Sequence, residues 1–388
     1  MNNTQEILEV NNVYKVFGTA PDKAMSMLNK GISKEEIFNR TGQSVGVFDA
    51  SFSVRRGEIF VIMGLSGSGK STLVRLLNRL IEPSAGAIKL NGKDITNLQD
   101  KDLLNVRRKN MSMVFQSFAL MPHMSVIDNA AFGLEISGVE KKVRHERALD
   151  ALSQVGLKDY AYSMPSELSG GMQQRVGLAR ALANDPTILL MDEAFSALDP
   201  LIRYEMQGEL IRLQKEQERT IVFISHDLDE AIRIGDRIAI MEGGRIVQIG
   251  TPKEIMENPA DDYVASFFKG VDIAKMKKAG DIASSSECLI NSPDNFEKDL
   301  NDYAYIVDAD NNYMGVYPND KNTKATIQDV FSEKIGSQFK IDADSPVKDV
   351  ITIVAQSPYP VPVIDKQGKY QGTISQKILL ETLSNNQN

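Results

Sequence analysis

Nine consecutive residues of this 388-residue chain have the types and spacing needed to hold a triphosphate. They are Gly64, Leu65, Ser66, Gly67, Ser68, Gly69, Lys70, Ser71 and Thr72. Glycines at these positions let the backbone fold so that several N–H groups point at one anion. Lys70 would bring a positive charge to the β- and γ-phosphates, and Ser71 a hydroxyl ligand for Mg²⁺. The pattern predicts that this segment, here called the phosphate loop, binds a nucleoside triphosphate.

Two carboxylates and a histidine follow apolar runs farther along the chain. Asp192 and Glu193 come directly after residues 188–191, and His226 comes after residues 221–225. Asp192 is suited to hold Mg²⁺ at the phosphates. Glu193 is suited to act as a general base on an attacking water, and His226 to hydrogen-bond the γ-phosphate and that water. Together with Lys70, these residues predict hydrolysis of the bound triphosphate.

Strands and a helix must position these side chains. The apolar run 59–63 predicts a buried strand before the phosphate loop, and the leucines between 73 and 80 predict a helix after it. The helix would add the positive end of its dipole to the anion site. Runs 188–192 and 221–225 predict two more buried strands that end at the same sheet edge. The fold class expected is therefore α/β.

The segment Leu168–Gly171, followed by a helical run, resembles the signature sequence of ATP-binding cassette (ABC) ATPases. In that family two cassettes close head to tail, and the signature of one subunit caps the ATP held by the phosphate loop of the other. The resemblance implies that Ser169, Gly170 and Gly171 contact the γ-phosphate of ATP bound to a second copy of the chain. The family's usual glutamine is replaced by Met172 here, so no nucleotide contact is assigned to that position.

Three further positions match elements of the same family. Gln116 resembles the glutamine that senses Mg²⁺ and the γ-phosphate and relays their presence to the transmembrane partner. Asp199 resembles the end of the loop that joins the two active sites across the dimer. Phe17 occupies the place of an aromatic residue that stacks on adenine, and Tyr14 is the alternative. The resemblance covers residues 6–270 and implies a P-loop NTPase (ABC ATPase) core with antiparallel β and helical subdomains.

The composition changes after this cassette. No arginine follows Arg245, and residues 275–286 read as a linker. Beyond it a strand, polar turn and strand around residues 307–315 recur around residues 364–372. This repeat resembles a tandem cystathionine-β-synthase-type (CBS) regulatory pair, which implies a site for cyclic di-AMP or another adenine nucleotide. We expect an ABC ATPase domain over 1–272 and a C-terminal α/β tandem CBS-like domain over 273–388, with a structural or dimerising appendage as the alternative.

Residues 20–44 interrupt the cassette. The pattern predicts two short helices, with Ser33 and Glu36 forming a capping box for the second. Few basic side chains are present for reading DNA. An interaction or lipid-facing role and a packed surface insertion both remain open.

Composition limits the compartment and the partners. No apolar run approaches the roughly 18 residues that span a bilayer, and the start of the chain lacks the features of a signal peptide. One cysteine, Cys288, excludes an intramolecular disulfide. The net charge of −8 disfavours nucleic acid as a partner. We expect a peripheral protein at the cytoplasmic face of the bacterial plasma membrane, held there by a partner.

Only resemblance bears on the cargo. The insertion, the stretches 75–83 and 191–203 and the C-terminal repeat together resemble the ATPase of glycine betaine/proline betaine importers. This implies ATP and Mg²⁺ as cofactors, and a second copy, permease subunits and an external solute-binding protein or domain as partners. Part of segment 118–126 is expected to receive a permease helix. The alternatives are an importer for carnitine or choline and a soluble ABC ATPase outside transport.

Overall fold

The structure is a computed structural model that divides into two compact units, Met1–Phe268 and Lys269–Asn388. The residues described are 5–115, 119–196, 198–269, 277–285, 289–290, 303–318 and 339–384. The division falls four residues before the boundary predicted at 272/273, directly after a short helix, Asp262–Phe267. Each unit has its own hydrophobic core, which is the property that defines a domain.

An antiparallel sheet of four strands begins the first unit, in the order β2-β1-β4-β5. Its strands are β1 (Glu6–Phe17), β2 (Ser44–Arg55), β4 (Ala85–Leu90) and β5 (Lys93–Asp94). Two helices lie between β1 and β2: α1 (Pro21–Leu28) and α2 (Lys34–Thr41). The helix pair predicted for residues 20–44 is therefore confirmed. Ser33 accepts a hydrogen bond from the Glu36 backbone N–H, but the Glu36 carboxylate pairs with Arg40, so only half of the predicted capping box forms.

A six-stranded sheet forms the centre of the first unit, and its strands lie in the order β10-β9-β3-β8-β7-β6. Its strands are β3 (Ile59–Met63), β6 (Met111–Val114), β7 (Ile188–Asp192), β8 (Thr220–Ser225), β9 (Arg237–Glu242) and β10 (Arg245–Gly250). All neighbouring pairs are parallel except β9 with β10. Every residue of β3, β7 and β8 is buried, as expected for parallel strands covered on both faces. The carboxyl ends of these three strands lie at one edge, which is where the chemistry was predicted.

Helices surround this sheet and form a separate helical layer. They are α3 (Lys70–Leu77), α4 (Asp100–Lys109), α5 (Val126–Ile136), α6 (Lys141–Gln154), α7 (Gly170–Leu182), α8 (Pro200–Gln217), α9 (Leu228–Ile234), α10 (Pro252–Glu257) and α11 (Asp262–Phe267). Helices α5, α6 and α7 pack on one another through small and aliphatic side chains such as Ala130, Ala151 and Ala179. The fold is the predicted P-loop core with antiparallel β and helical subdomains.

The second unit contains two three-stranded sheets, β11-β12-β13 and β14-β15-β16. Its elements are β11 (Leu289–Ile290), β12 (Tyr303–Val307), β13 (Tyr313–Pro318), β14 (Ile341–Asp342), β15 (Val361–Ile364), β16 (Tyr370–Ile374), α12 (Ala279–Ile282), α13 (Val347–Gln356) and α14 (Gln376–Ser384). Both predicted hairpins are present. Tyr313 N–H donates to Gly368 O at 2.9 Å and Tyr370 N–H donates to Asn311 O at 3.0 Å, so the turns of the two copies pair with each other.

No helix in the described parts of the chain is both long and apolar enough to cross a membrane.

Candidate active site

The phosphate loop is a turn between β3 and α3 that is packed tightly against its neighbours. Gly64 and Gly69 adopt φ angles of +156° and +100°, in the region that favours glycine. A Cβ atom at Gly64 would lie 2.1 Å from Met241 O, and one at Gly69 would lie 2.4 Å from Gly46 O. A side chain at either position would displace backbone, so the two glycines are required by both conformation and space.

Lys70 begins α3 and is only 5% exposed. Its ammonium donates hydrogen bonds to Gly64 O at 2.8 Å and Leu65 O at 2.9 Å, inside the loop. Burial lowers the pKa of Lys70, while the carboxylates of Glu193 and Asp192 oppose that shift. A cation held in this way is positioned to interact with an anion that enters the loop.

A buried hydroxyl supports the fit of a phosphate. Ser68 is 5% exposed, and its Oγ has no hydrogen-bond partner among the residues that the structure describes. Buried polar atoms are rarely left unpaired in native proteins, so an unpaired one needs an explanation such as a missing ligand. The loop surrounds Ser68 with Lys70 and the start of α3, both of which favour an anion. A triphosphate oxygen would satisfy this hydroxyl.

Ser71 and Asp192 form a pair of oxygen ligands of the kind that Mg²⁺ prefers. Ser71 Oγ donates to Asp192 Oδ1 at 2.8 Å, and Asp192 is 4% exposed at the end of β7. A hydroxyl and one carboxylate, completed by phosphate oxygens and waters, suit this cation. The second Asp192 oxygen contacts Arg75 Nη2 at 3.3 Å, an interaction that the sequence reading missed. Arg75 lies one helical turn after Ser71, and that spacing was the available signal.

Glu193 and His226 meet at the same edge. Glu193 Oε2 lies 3.4 Å from His226 Nδ1, because β7 and β8 are neighbours in the sheet and pair Asp192 with Ile224. Glu193 has a φ of +46°, an uncommon conformation that turns the chain sharply as it leaves β7. The side chain of Glu193 is 21% exposed and that of His226 is 57% exposed, so water can reach both. The pair has the arrangement needed to orient and deprotonate a water.

The signature lies at the start of α7. Ser169 caps this helix, with its Oγ accepting a hydrogen bond from Met172 N at 3.3 Å, and Ser169 and Gly170 are exposed. A Cβ atom at Gly171 would lie 2.6 Å from the Ile202 side chain, so α7 and α8 are in close contact there. Among the described residues, the signature makes no hydrogen bond to the phosphate loop of its own chain. It is therefore accessible to another molecule.

Asp199 ends the segment that follows Glu193 and caps α8. Its Oδ1 accepts hydrogen bonds from Leu201 N and Ile202 N, both at 3.1 Å. Ser196 Oγ donates to Glu193 O at 2.9 Å, which ties the segment to the predicted base. Asp199 is exposed and does not contact the predicted Mg²⁺ ligands by hydrogen bonding in the described residues.

The two candidates for adenine stacking have different surroundings. Phe17 is 39% exposed at the end of β1, and Gly46 separates it from the phosphate loop: a Cβ at Gly46 would lie 2.7 Å from the Phe17 ring and 3.5 Å from Thr72 Cγ2. Tyr14 instead packs edge-on against Phe48, 5.5 Å between ring centroids, in the cluster formed with α1 and α2. Phe17 is therefore the exposed candidate close to the loop, with Lys15 Nζ 5.1 Å from its ring centroid. The remaining prediction, Gln116, lies outside the described residues.

Comparisons with known proteins agree with this geometry. A sequence model of the ABC transporter family matches residues 47–196. The glycine betaine/proline betaine transport system ATP-binding protein ProV of Salmonella typhimurium is 54% identical over 388 residues, covering 97% of each chain. The glycine betaine transport ATP-binding protein OpuAA of Bacillus subtilis is 47% identical, covering 98% of this chain and 93% of its own.

A solved structure supports the fold. A bacterial ABC transporter cassette, solved as a dimer, aligns with a TM-score of 0.54 and 29% identity over 63% of this chain and 99% of its own. A second structure of that cassette contains the hydrolysis products ADP and phosphate and aligns with a TM-score of 0.53. One fold thus contains the phosphate loop, the paired Glu193 and His226 and an exposed signature. The chain belongs to the ABC transporter family and is an ATP-binding subunit that hydrolyses ATP.

Proposed function

We propose that this chain hydrolyses ATP to drive the import of glycine betaine, proline betaine and related compatible solutes through a membrane permease during osmotic stress. The observation that carries the solute class is the 54% identity to a glycine betaine/proline betaine transport ATP-binding protein along 97% of both chains. That alignment includes the insertion and the second unit, which a match to the cassette alone would not.

Each polar side chain described at the carboxyl ends of β3, β7 and β8 has a role in hydrolysis. Lys70 and the phosphate-loop amides bind the β- and γ-phosphates, Glu193 accepts the proton of the attacking water, and His226 hydrogen-bonds that water and the γ-phosphate. Ser71 and Asp192 would hold Mg²⁺, which neutralises charge that develops on the phosphate oxygens. Half-exposure of His226 leaves room for the water and for the phosphate.

A second copy of the chain completes the site. Ser169 and Gly170 are exposed at the start of α7, a helix of 13 residues whose N-terminus favours an anion. In the proposed dimer, these residues contact the γ-phosphate bound by the partner's phosphate loop, and Asp199 lies between the two sites. Loss of the γ-phosphate then removes the bridge and opens the dimer.

A groove on the first unit suits the permease. It has a volume of about 400 Å³ and is lined mainly by apolar side chains, including Leu80, Met113, Phe115, Met121 and Phe132. Leu80 is 53% exposed at its rim. A short amphipathic helix fits such a groove by burying one apolar face. Docking there would hold the chain at the cytoplasmic face of the bacterial plasma membrane.

The second unit contains an aromatic cluster that is suited to a nucleotide base. The rings of Tyr313 and Tyr370 lie 6.5 Å apart at 19°, with Tyr305 adjacent to Tyr370 at 5.9 Å. Aromatic rings can stack on any nucleotide base, because every base has a flat π-face. We propose that this unit regulates hydrolysis through cyclic di-AMP or another adenine nucleotide, with sensing of ionic strength as the alternative.

Calorimetric titration of cyclic di-AMP into the full chain tests the nucleotide. Binding to the wild type that is lost in Tyr313→Ala would support it, because Tyr313 is a partly buried ring of the cluster whereas Tyr370 is part of the core. Absence of binding to the wild type would leave ionic strength as the proposed signal.

Reconstitution with the permease and its external solute-binding protein tests the transport function. ATP hydrolysis is measured with glycine betaine, proline betaine, carnitine, choline or no solute. We expect the two betaines to stimulate hydrolysis most. If only carnitine or choline stimulates hydrolysis, that solute replaces the betaines as the proposed substrate. If hydrolysis is already full and neither a solute nor a membrane partner changes it, a soluble, non-transport ATPase is favoured. Trimethylamine N-oxide belongs in the panel, because its transport ATP-binding protein in Ruegeria pomeroyi is 50% identical over 71% of this chain.

A further inference from the structure

A buried carboxylate lies next to the turn that carries His226 and has no part in the steps described above. Glu230, on α9, is 8% exposed. Its Oε2 accepts a hydrogen bond from Ser225 Oγ at 2.5 Å, and its Oε1 accepts one from Gln207 Nε2 at 3.0 Å. Ser225 and Gln207 are themselves 1% and 5% exposed. A buried charge is costly, so its presence beside the site calls for a role.

Glu230 is bonded to the residues on both sides of His226. Ser225 precedes His226, and its Oγ accepts a hydrogen bond from Asp227 N at 2.9 Å while it donates to Glu230. Asp227 follows His226, and its Oδ1 accepts one from Glu230 N at 3.2 Å. The Glu230 carboxylate thus holds Ser225, and the Glu230 backbone N–H holds Asp227, on either side of His226.

Two side chains of α8 reach the same turn. Gln207 donates to Glu230, and Arg203 Nη1 lies 3.5 Å from Asp227 Oδ2. Arg203 also donates through Nη2 to Leu198 O at 3.2 Å and Ser196 O at 3.4 Å. Helix α8 begins directly after Asp199, so one helix contacts both the segment that follows Glu193 and the turn that carries His226.

We propose that Glu230 is a positioning residue for His226, which, as a carboxylate, fixes the turn 225–227 to α8 and so holds the imidazole at Glu193. Movement of Ser196 or Leu198 on dimer closure is then passed through Arg203 of α8 to the turn that carries His226. The inference rests on the proposed role of His226 in hydrolysis.

In the carboxylate form both oxygens accept, one from Ser225 Oγ and one from Gln207 Nε2, and the Ser225 hydroxyl is drawn to Glu230 although Asp227 O lies 3.2 Å away. Burial raises the pKa of Glu230, and the Asp227 carboxylate raises it further, whereas hydrogen bonds from Ser225 and Gln207 and the charge of Arg203 lower it. The other cation on this network, Arg233, donates to Gln207 Oε1 at 2.7 Å. As the pH falls through the raised pKa, one oxygen gains a proton, and the Ser225 hydroxyl then donates to Asp227 O instead of Glu230. Turnover should then fall, because the turn is no longer fixed by the carboxylate.

A double-mutant cycle separates positioning from a general structural role. kcat and KM for ATP are measured for the full-length chain as wild type, Glu230→Gln, His226→Ala and the double variant. Glu216→Gln is the control, because Glu216 is an exposed carboxylate on α8, away from the turn, and its ion-pair partner among the described residues is Arg212. We expect Glu230→Gln to lower kcat about tenfold with KM within about twofold, and to cause no further loss once His226 is absent. The acidic limb of the kcat profile should flatten in Glu230→Gln.

Four outcomes decide the inference. If the losses of kcat in the two single variants multiply in the double variant, Glu230 has a general structural role and the inference is overturned. Normal turnover in Glu230→Gln, when turnover of His226→Ala is impaired, would also overturn it. Normal turnover in His226→Ala would instead overturn the proposed role of His226, and this inference with it. If Glu230→Gln does not fold, Ser225→Ala removes the same hydrogen bond and must show the same lack of additivity with His226→Ala.

Discussion

The two compact units place their distinctive side chains in different ways. In the first unit, the side chains for hydrolysis lie at the edge where three fully buried strands end. Asp192 is the last residue of β7, Glu193 and His226 directly follow β7 and β8, and Ser71 lies in α3 after the phosphate loop. In the second unit, tyrosines lie between two hairpins whose turns are hydrogen-bonded to each other. The side chains of Glu193 and His226 are 21% and 57% exposed, whereas Tyr305 and Tyr370 of the second unit are part of its core. Substitutions should therefore affect catalysis in the first unit and stability or regulation in the second.

The largest effect is expected for Glu193→Gln. The amide keeps the shape of the side chain but cannot accept the proton of the attacking water, so hydrolysis should fall about 10²- to 10⁴-fold. ATP binding and dimerisation should persist. A steady-state phosphate-release assay and equilibrium ATP binding measure both. Near-normal turnover would remove Glu193 as the base, and Tyr370→Ala, in the second unit, is the control that should hydrolyse ATP normally without added regulator.

Tyr305→Ala should destabilise the second unit by about 3–5 kcal/mol, as for other large aromatic side chains lost from a core. Tyr305 is fully buried, and its hydroxyl donates to Pro360 O at 2.5 Å. Calorimetry of the full chain should show a lower Tm for the unfolding of the second unit. The Tm of the first unit, which ATP stabilises, should not change. Gln371→Ala, at an exposed position of β16, is the matched control. A shift of both transitions would contradict the division into independent units.

Phe17→Ala should raise KM for ATP about tenfold, because loss of stacking on an aromatic ring costs roughly 1–3 kcal/mol. Tyr14→Ala should leave KM nearly unchanged, because Tyr14 packs on Phe48 and not at the loop. The two variants are compared in one ATP titration. The opposite ranking would move the adenine contact to Tyr14.

The smallest effect concerns the insertion. Burial, with Arg245 nearby, lowers the pKa of Lys34 to about 8 from its ordinary 10.5. Between these values the unfolded chain binds the proton more tightly than the folded chain, so the free energy of unfolding rises with pH. We expect a gain on the order of 1 kcal/mol after allowance for partial exposure. The free energy of unfolding of the first unit is measured by thermal unfolding at pH values between these two pKa values. Its rise with pH should be lost in Lys34→Met, and the same rise in that variant would contradict the role of Lys34.

Much of the first unit could be predicted from sequence, because its chemistry depends on contiguous residues. The phosphate loop, the strands before it and before Asp192, and the meeting of Glu193 with His226 all follow from apolar runs that end in polar residues. The repeat in the second unit was visible for the same reason, since each hairpin is contiguous.

Contacts between distant segments were not predictable in this way. Gln207 meets Glu230 across 23 residues, and nothing in either local pattern indicates that pairing. The Glu36 carboxylate turned to Arg40 and left the predicted capping box half formed, because an ion pair on the same helix face competes for it. Phe17 was already the first candidate for stacking on adenine, but the packing of the alternative, Tyr14, against the insertion could not be predicted from sequence.

Mixing two inactive variants tests most directly whether each chain supplies half of two sites. Lys70→Ala disables the phosphate loop and Ser169→Arg blocks the signature, so a dimer of either variant has no intact site. A mixed dimer places both defects in one site and leaves the other complete. Hydrolysis should therefore return when the two variants are combined, in proportion to the mixed dimers formed. A mixture no more active than its separate components, or full activity of Ser169→Arg alone, would contradict a site shared between two chains.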